Sequence, residues 1–222
     1  MWVYNIVNYV PAASQASPQG ESFFTERRSP MGREFELKYR ADAAAIAAIQ
    51  EKYGAFTPIS METTYYDTPD LKLSFHRWTL RRRLENGVSV CTFKRPLDDG
   101  SRGEWEVQCD SIMEGVLQLC QSGAPWELMR ATAGGVKPFC GAKFTRLAKT
   151  LEVPGAVVEL ALDQGAGTGG RREQPLAEVE GELKEGSDAA AEAFAAALAE
   201  EFGLVPEERS KLARARALAL QD

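Results

Sequence analysis

Apolar and polar residues alternate with a period of two along several short stretches of this 222-residue chain. In residues 33–40, acidic and basic side chains occupy one face while Phe35, Leu37 and Tyr39 occupy the other. A period of two is typical of a β-strand. The same signal predicts seven further strands, at residues 62–67, 79–84, 88–95, 101–109, 143–153, 157–163 and 176–184.

Turn and helix signals join these strands into an antiparallel meander. Glu85-Asn86-Gly87 is a strong hairpin turn, and residues 164–173 are predicted to form a glycine-rich loop. Apolar residues recur at helical spacing in four segments, which are residues 42–53, 110–134, 188–202 and 206–220. Asp42 is expected to cap the first helix and Gly54 to end it. We therefore predict an α+β fold, an eight-stranded antiparallel β-barrel with flanking helices, because closure removes exposed sheet edges.

The polar faces of these strands are unusually rich in paired charges. If the apolar faces pack under helices, the charged faces converge inside the barrel, where unpaired ions are costly. A wet interior that holds a polyanion and a divalent cation would satisfy both signs of charge. The alternative is that these are ordinary solvated outer faces. The residues concerned are Glu34, Glu36, Lys38, Arg81, Arg83, Thr92, Lys94, Arg102, Glu104, Glu106, Arg146, Glu159, Asp163, Glu178, Glu180, Glu182 and Lys184.

Composition excludes several other classes of protein. The hydrophobic fraction of 44% is enough for a core, and the net charge of -6 argues against general nucleic-acid binding. Four cysteines without a CxxC pair and a single histidine do not form a usual zinc site, so we expect reduced thiols in a cytoplasmic protein. No apolar run is long enough to span a membrane. Residues 1–30 are expected to be a disordered extension, an expression remnant or a misassigned start, preceding one domain at residues 31–222.

The ordered set of motifs resembles the CYTH superfamily, the triphosphate tunnel metalloenzymes. Glu34 to Lys38 resembles the family's ExExK signature. Arg82 departs from the LRxR motif, where an apolar residue is usual, and is expected to point outward. The other matching segments are Tyr65 to Asp70 (YYDTPD), Leu80 to Arg83 (LRRR), Thr92 to Lys94 (TFK), Arg102 to Glu106 (RGEWE), Glu159 to Gly165 (ELALDQG), Glu178 to Lys184 (EVEGELK) and Ser210-Lys211.

The resemblance implies a division of roles among the charged residues. Lys38 would be the candidate catalytic side chain, orienting or deprotonating the attacking water, or else a pure phosphate binder. Mg²⁺ or Mn²⁺ would be held by carboxylates, since hard oxygen ligands suit these ions. The phosphate binders would be Lys38, Arg81, Arg83, Lys94, Arg102, Arg146 and Lys211. The metal ligands would be Glu34, Glu36, Asp163, Glu178 and Glu180, with Glu104, Glu106, Glu159 and Glu182 supporting neighbouring Arg and Lys side chains.

The resemblance leaves the exact function open. The segment ELALDQG is similar to bacterial inorganic triphosphatases, many of which also carry a C-terminal helical CHAD domain; this chain is expected to lack one. Hydrolysis of inorganic triphosphate to diphosphate and phosphate is therefore the leading prediction. The alternatives are a class IV adenylate cyclase, a nucleoside or thiamine triphosphatase, and a polyphosphate-binding module without catalysis. Neither a nucleic acid nor a membrane is an expected partner, and the chain could be a monomer or a homodimer.

Overall fold

A computed structural model describes residues 35–97 and 102–221 of the chain. These residues form nine strands and six helices. The strands are β1 (Glu36–Arg40), β2 (Thr57–Asp67), β3 (Thr79–Glu85), β4 (Val88–Pro96), β5 (Arg102–Gln108), β6 (Lys137–Val153), β7 (Ala156–Gly169), β8 (Arg172–Gly186) and β9 (Val205–Pro206). The helices are α1 (Ala43–Tyr53), α2 (Lys72–Phe75), α3 (Ile112–Gln121), α4 (Glu127–Thr132), α5 (Asp188–Phe202) and α6 (Lys211–Ala219).

All nine strands belong to one antiparallel sheet in the order β5-β4-β3-β2-β6-β7-β8-β1-β9. The α+β class and the meander are thus confirmed. The closed eight-stranded barrel is not, since β5 and β9 stand at the two edges and no pairing in the described chain joins them. The additional strand is β9, whose two residues pair with Tyr39 and Arg40 of β1.

Local signals account for several element boundaries. The Asp42 side chain accepts a hydrogen bond of 2.8 Å from the Ala45 backbone N–H and so caps α1 as predicted. Gly54 ends that helix with a φ of 74°. In the β3–β4 hairpin, Asn86 and Gly87 both have positive φ, 49° and 86°, as a two-residue type I′ turn requires.

The two faces of the sheet have opposite character. On one face, which we call the apolar face, α3 and α4 cover a core around Phe93 and Leu128, and α1 and α5 cover a second core around Ile49 and Leu160. The opposite face, which we call the charged face, carries Lys38 and the other alternating ionic residues. Helix α6 lies against this face over β6, β7 and β8.

The predicted glycine-rich loop at residues 164–173 was wrong. Strand β7 continues to Gly169 and β8 begins at Arg172, so most of this segment is paired strand. The alternating glycines bring other backbone close to β7. A Cβ atom on Gly165 would lie 2.2 Å from the Lys143 carbonyl oxygen, and one on Gly169 would lie 2.3 Å from the Ala215 carbonyl oxygen of α6.

Two further predictions differ from the structure in the residues at which elements begin. The last helix begins at Lys211 rather than at Pro206, because Ser210 caps it by accepting from the Ala213 N–H, 3.1 Å away. Strands β2 and β6 begin five and six residues earlier than predicted. The predicted tail at residues 1–30 and the turn Asp98-Asp99-Gly100 lie outside the described residues. None of the helices in the described ranges is long and apolar enough to cross a membrane.

Candidate active site

Among the described residues, seven basic side chains on the charged face or on the helix covering it are more than four-fifths buried. Their exposed fractions fall between 12% and 18%, so each is largely withdrawn from bulk water while keeping some accessible surface. Charges withdrawn in this way need counterions close by. The seven are Lys38, Arg81, Arg83, Lys94, Arg146, Lys211 and Arg214.

In the β3–β5 part of this face, two glutamates of β5 serve three cations. Glu104 lies 2.9 Å from Lys94 and 3.8 Å from Arg81. Glu106 lies 3.6 Å from Arg81 and 3.9 Å from Arg83, and it accepts a 2.9 Å hydrogen bond from the Thr92 hydroxyl. Lys94 lies directly opposite Glu104, and Arg81 lies opposite Thr92, which in turn lies opposite Glu106.

These guanidinium groups repel one another. Burial lowers the pKa of Arg83, and the neighbouring Arg81 lowers it further. Its Nε atom is buried without a hydrogen-bond partner. Burial alone would raise the pKa of Glu106, but the positive charges of Arg81 and Arg83 outweigh it and lower that pKa. Glu85 also pairs with Arg83, so the three cations of this region face three carboxylates, Glu85, Glu104 and Glu106.

A second group of charges lies between β6, β7, β8 and α6. We call it the buried ionic cluster; it consists of three acids, Asp163, Glu178 and Glu180, and three bases, Arg146, Lys211 and Arg214. Asp163 and Glu178 are fully buried, with side-chain exposures of 0%. Pairing each carboxylate with basic groups offsets the cost of burying it.

Each base of the buried ionic cluster contacts at least one acid. Arg146 grips Asp163 through two hydrogen bonds of 2.8 Å and also donates to Glu180. Lys211 lies 2.5 Å from Glu180, 2.8 Å from Asp163 and 3.2 Å from Glu178. The two hydrogen bonds from Arg146 to Asp163 fix both the position and the orientation of the Arg146 guanidinium.

Arg214 completes the buried ionic cluster by donating to both carboxylate oxygens of Glu178. It comes from α6, one turn after Lys211, whereas Glu178 comes from β8. The cluster therefore ties α6 to the sheet as well as balancing charge.

The pairing changes the proton affinities strongly. Burial would raise the pKa of Glu180, but Lys211 and Arg146 outweigh it and hold that pKa at about 2. Burial would lower the pKa values of Lys211 and Arg146, yet the facing carboxylates raise both above their ordinary values. All three groups consequently stay charged across the neutral range.

An apolar floor lies beneath Lys211 on the charged face. Met61, Phe144 and Leu176 are buried there together with Ala142. The ammonium of Lys211 stands 5.2 Å from the centre of the Phe144 ring, within range of a cation–π contact. Such surroundings exclude water and strengthen the electrostatic interactions of the cations above them.

Acidic residues of β1, β7 and β8 form the remaining part of the site. Glu36 lies directly opposite Glu182 across the β1–β8 pairing, and Lys38 lies opposite Glu180. The Lys38 ammonium is 3.4 Å from Glu36. Lys184, which the resemblance did not assign to substrate, lies 2.7 Å from Glu182 and 3.3 Å from Glu159.

A divalent cation suits some of these carboxylates better than others. Glu36 and Glu182 face each other across a strand pair, where like charges repel, and Lys38 lies beside the first and Lys184 beside the second. A divalent cation between the two carboxylates would relieve the repulsion that remains. Asp163 and Glu178 fit a metal poorly, because both are fully buried and already hold Arg or Lys. Within residues 35–97 and 102–221, no three acidic, thiol or imidazole groups are gathered closely enough to hold a metal ion. Glu34, also predicted as a ligand, lies outside the described residues.

The structure brings most of the predicted residues to this face. Arg102 shares this face with Glu104 by alternation along β5, but it differs in being exposed, at the start of that edge strand. Arg82 points away from the face, as expected, and donates to the Asp110 carbonyl oxygen at 2.7 Å. Sequence reasoning missed Arg214. Its spacing of three residues from Lys211 on a helix would have placed the two side chains on one side of α6.

The geometry defines an antiparallel β-sheet protein with a charged, cation-lined face. The model of the CYTH domain matches residues 32–215. The chain belongs to the CYTH family.

The individual proteins that this chain is similar to share limited sequence identity with it. An inorganic triphosphatase of Haemophilus influenzae is 26% identical over 164 residues, which are 71% of this chain and 47% of that protein. This chain therefore spans about half the length of that relative.

Solved structures support the fold. The structure of a Bacillus halodurans protein described as a candidate adenylate cyclase superposes with a TM-score of 0.58 at 18% identity, covering 82% of this chain and 96% of that one. A Hippeastrum protein, described as a candidate adenylyl cyclase with a dominant triphosphatase activity, gives 0.57 at 18% identity, covering 83% and 95%. At these identities the likeness extends to the fold alone.

Proposed function

We propose that this protein hydrolyses inorganic triphosphate to diphosphate and phosphate on its charged face, which would line a tunnel. The observation that carries the proposal is the set of seven partly buried Lys and Arg side chains converging from four strands and α6. A linear chain of phosphates presents several negative charges at short intervals. Few other small solutes could contact so many fixed cations at once.

The accessible surface of the charged face favours a substrate without an organic group. Tyr65 and Phe144 are the aromatic residues of its regular strand pairings, and both are buried, at 6% and 7% exposure. Phe139, at the β2–β6 irregularity, packs into the cluster beneath α6. None of the three offers an open ring on which a nucleobase or a thiamine ring could stack. This argument favours inorganic triphosphate over ATP or thiamine triphosphate.

We propose Mg²⁺ or Mn²⁺ as the cofactor, held by Glu36 and Glu182 with Glu34. When bound, such a metal would neutralise charge that develops on the phosphate oxygens. Arg81, Arg83 and Lys94 would hold one end of the triphosphate, and Arg146 and Lys211 the other. Lys38, between Glu36 and Glu180, would orient the attacking water; this role for Lys38 is part of the proposal.

The direct test offers the purified protein inorganic triphosphate, ATP or thiamine triphosphate, each with Mg²⁺ or Mn²⁺. Phosphate, diphosphate and cyclic AMP are then measured separately. We expect phosphate and diphosphate in equal amounts from inorganic triphosphate, with slower turnover of the two organic substrates. Production of cyclic AMP from ATP would instead identify a cyclase, and tight binding without turnover of any substrate would identify a binding module.

Two lysine variants test whether the charged face is the site. Lys94→Met removes one cation from that face, whereas Lys143→Met removes a lysine that is 76% exposed and pairs with Glu62 on the other face. Because a hydrogen bond to a charged group contributes about 1.5–3 kcal/mol, Lys94→Met should raise KM for triphosphate roughly 10- to 100-fold. Lys143→Met should leave KM unchanged. Equal effects of the two changes would place the substrate elsewhere.

A further inference from the structure

We propose that Arg214 is a positioning residue of the anion site, which neutralises Glu178 so that Lys211 and Arg146 can exchange carboxylate partners for phosphate oxygens. This inference rests on the proposed function, since it assumes that triphosphate binds beside Lys211. It gives Arg214 and Glu178 a joint role that neither the motifs nor the relatives indicate.

The contacts of Glu178 show why it needs Arg214. Its side chain is fully buried, and its cation partners within 4 Å in the described chain are Arg214, which donates to both of its oxygens, and Lys211 at 3.2 Å. A fully buried carboxylate cannot turn to water for solvation. If Arg214 were absent, Glu178 would depend on Lys211 alone.

The charge balance of the buried ionic cluster also depends on Arg214. With three acids and three bases the cluster is neutral, and removing Arg214 leaves one net negative charge beside the proposed anion site. Lys211 would then be held more firmly by Glu178, Glu180 and Asp163. Both effects oppose the binding of a polyanion, one through repulsion and the other by withholding the ammonium.

The surroundings of Arg214 show that its position is itself supported. A second guanidinium nitrogen lies 4.0 Å from Glu207, a nearly buried glutamate whose backbone N–H donates to the Lys38 carbonyl oxygen at 2.9 Å. Glu207 in turn accepts from the exposed Arg209 side chain at 3.1 Å. Arg214 is therefore held between Glu207, which is attached to β1, and Glu178 of β8. Within the buried ionic cluster, Arg214 contacts Glu178.

The test measures binding rather than turnover, using a non-hydrolysable imido analogue of triphosphate and isothermal titration calorimetry, with and without Mg²⁺. Arg214→Gln should weaken binding about tenfold or more. Arg214→Lys keeps the charge, and the double variant Arg214→Gln with Glu178→Gln restores neutrality; both should bind within about threefold of the unmodified protein. Arg130→Gln, which changes a 71% exposed arginine that pairs with Glu127 on α4, serves as the control and should bind normally.

Several outcomes would overturn the inference. Equal binding by Arg214→Gln and the unmodified protein would do so, as would a loss of tenfold or more in the neutral double variant, which would mean that Glu178 contacts metal or substrate itself. If Arg214→Gln alone does not fold, the lysine variant and the double variant still decide the matter, because both keep the cluster neutral. Failure of the unmodified protein to bind the analogue would instead overturn the proposed function. Binding and hydrolysis by the unmodified protein, with no effect of Arg214→Gln, would overturn this inference alone.

Discussion

Gly169 lies directly against the backbone of α6, and enlarging it should separate the helix from the sheet. A Cβ atom at this position would lie 2.3 Å from the Ala215 carbonyl oxygen and 2.5 Å from the Ala219 backbone nitrogen. Both contacts are with helix backbone, so a side-chain rotation cannot relieve them. Gly169→Ala should therefore push α6 outward, together with Lys211 and Arg214.

The size of the effect follows from the overlap. Forcing one methyl group into a filled contact costs about 1–3 kcal/mol. In a chain of this length each kcal/mol lowers the melting temperature by roughly 2–4 °C, so the expected decrease is roughly 2–12 °C. Gly167→Ala is the matched control on the same strand and face, because its Cβ would meet nothing nearer than the Gly141 carbonyl oxygen at 3.9 Å.

Thermal unfolding followed by circular dichroism measures the stability of the two variants, and titration with the imido analogue of triphosphate measures the site. Gly169→Ala should melt lower and bind more weakly, whereas Gly167→Ala should do neither. If both alanine variants melt at the same temperature, the close approach of α6 does not contribute to stability as argued. If Gly169→Ala melts lower but binds normally, the position of α6 does not govern the anion site.

Three other changes test separate parts of the structure. Because the pKa of Glu180 is held at about 2, its ion pairs stabilise the fold above the ordinary glutamate range, and this stability is lost as pH falls from about 4.5 to about 2. Glu180→Gln should reduce the fall in unfolding free energy over this pH range, and an unchanged pH dependence would refute the assignment. Asp67 accepts from the backbone N–H groups of Leu73 and Ser74 at 3.0 Å each, so Asp67→Asn should lower stability by about 1–3 kcal/mol in urea unfolding, and an unchanged midpoint would show that these bonds are dispensable. A Cβ on Gly115 would lie 2.6 Å from the Cys91 sulfur, so Gly115→Ala should destabilise the α3 contact, and adding Cys91→Ala should restore part of the loss if the sulfur is the obstacle.

The strands and their charged face could be predicted because both depend on a local period of two. Once Glu36 and Lys38 alternate with apolar residues, pleating puts them on one face whatever the rest of the chain does. The ends of elements were harder to predict. Gly165 to Gly169 was interpreted as a loop because glycine is a common turn residue, whereas here it allows neighbouring backbone to approach a continuing strand.

The partners of the charges could not be predicted, because they depend on contacts between distant segments. Asp163 and Glu178 are opposite each other across β7 and β8, but only the placement of α6 brings Lys211 and Arg214 to them. The sequence showed that acids and bases share a face without showing which acids were already paired. Closure of the sheet is likewise a property of its edges, β5 and β9, which no local pattern describes.

The neutrality of the buried ionic cluster has a consequence for selectivity. Lys211 and Arg146 already hold carboxylates, so an arriving anion gains only the difference between its own attraction and the one it displaces. A single small anion such as chloride offers one charge and has little advantage over a carboxylate in place. A chain of linked phosphates offers many charges to several cations together, so its attraction can exceed that of the carboxylates it displaces. The site would then discriminate by charge density, rejecting the abundant simple anions around it without any side chain dedicated to excluding them.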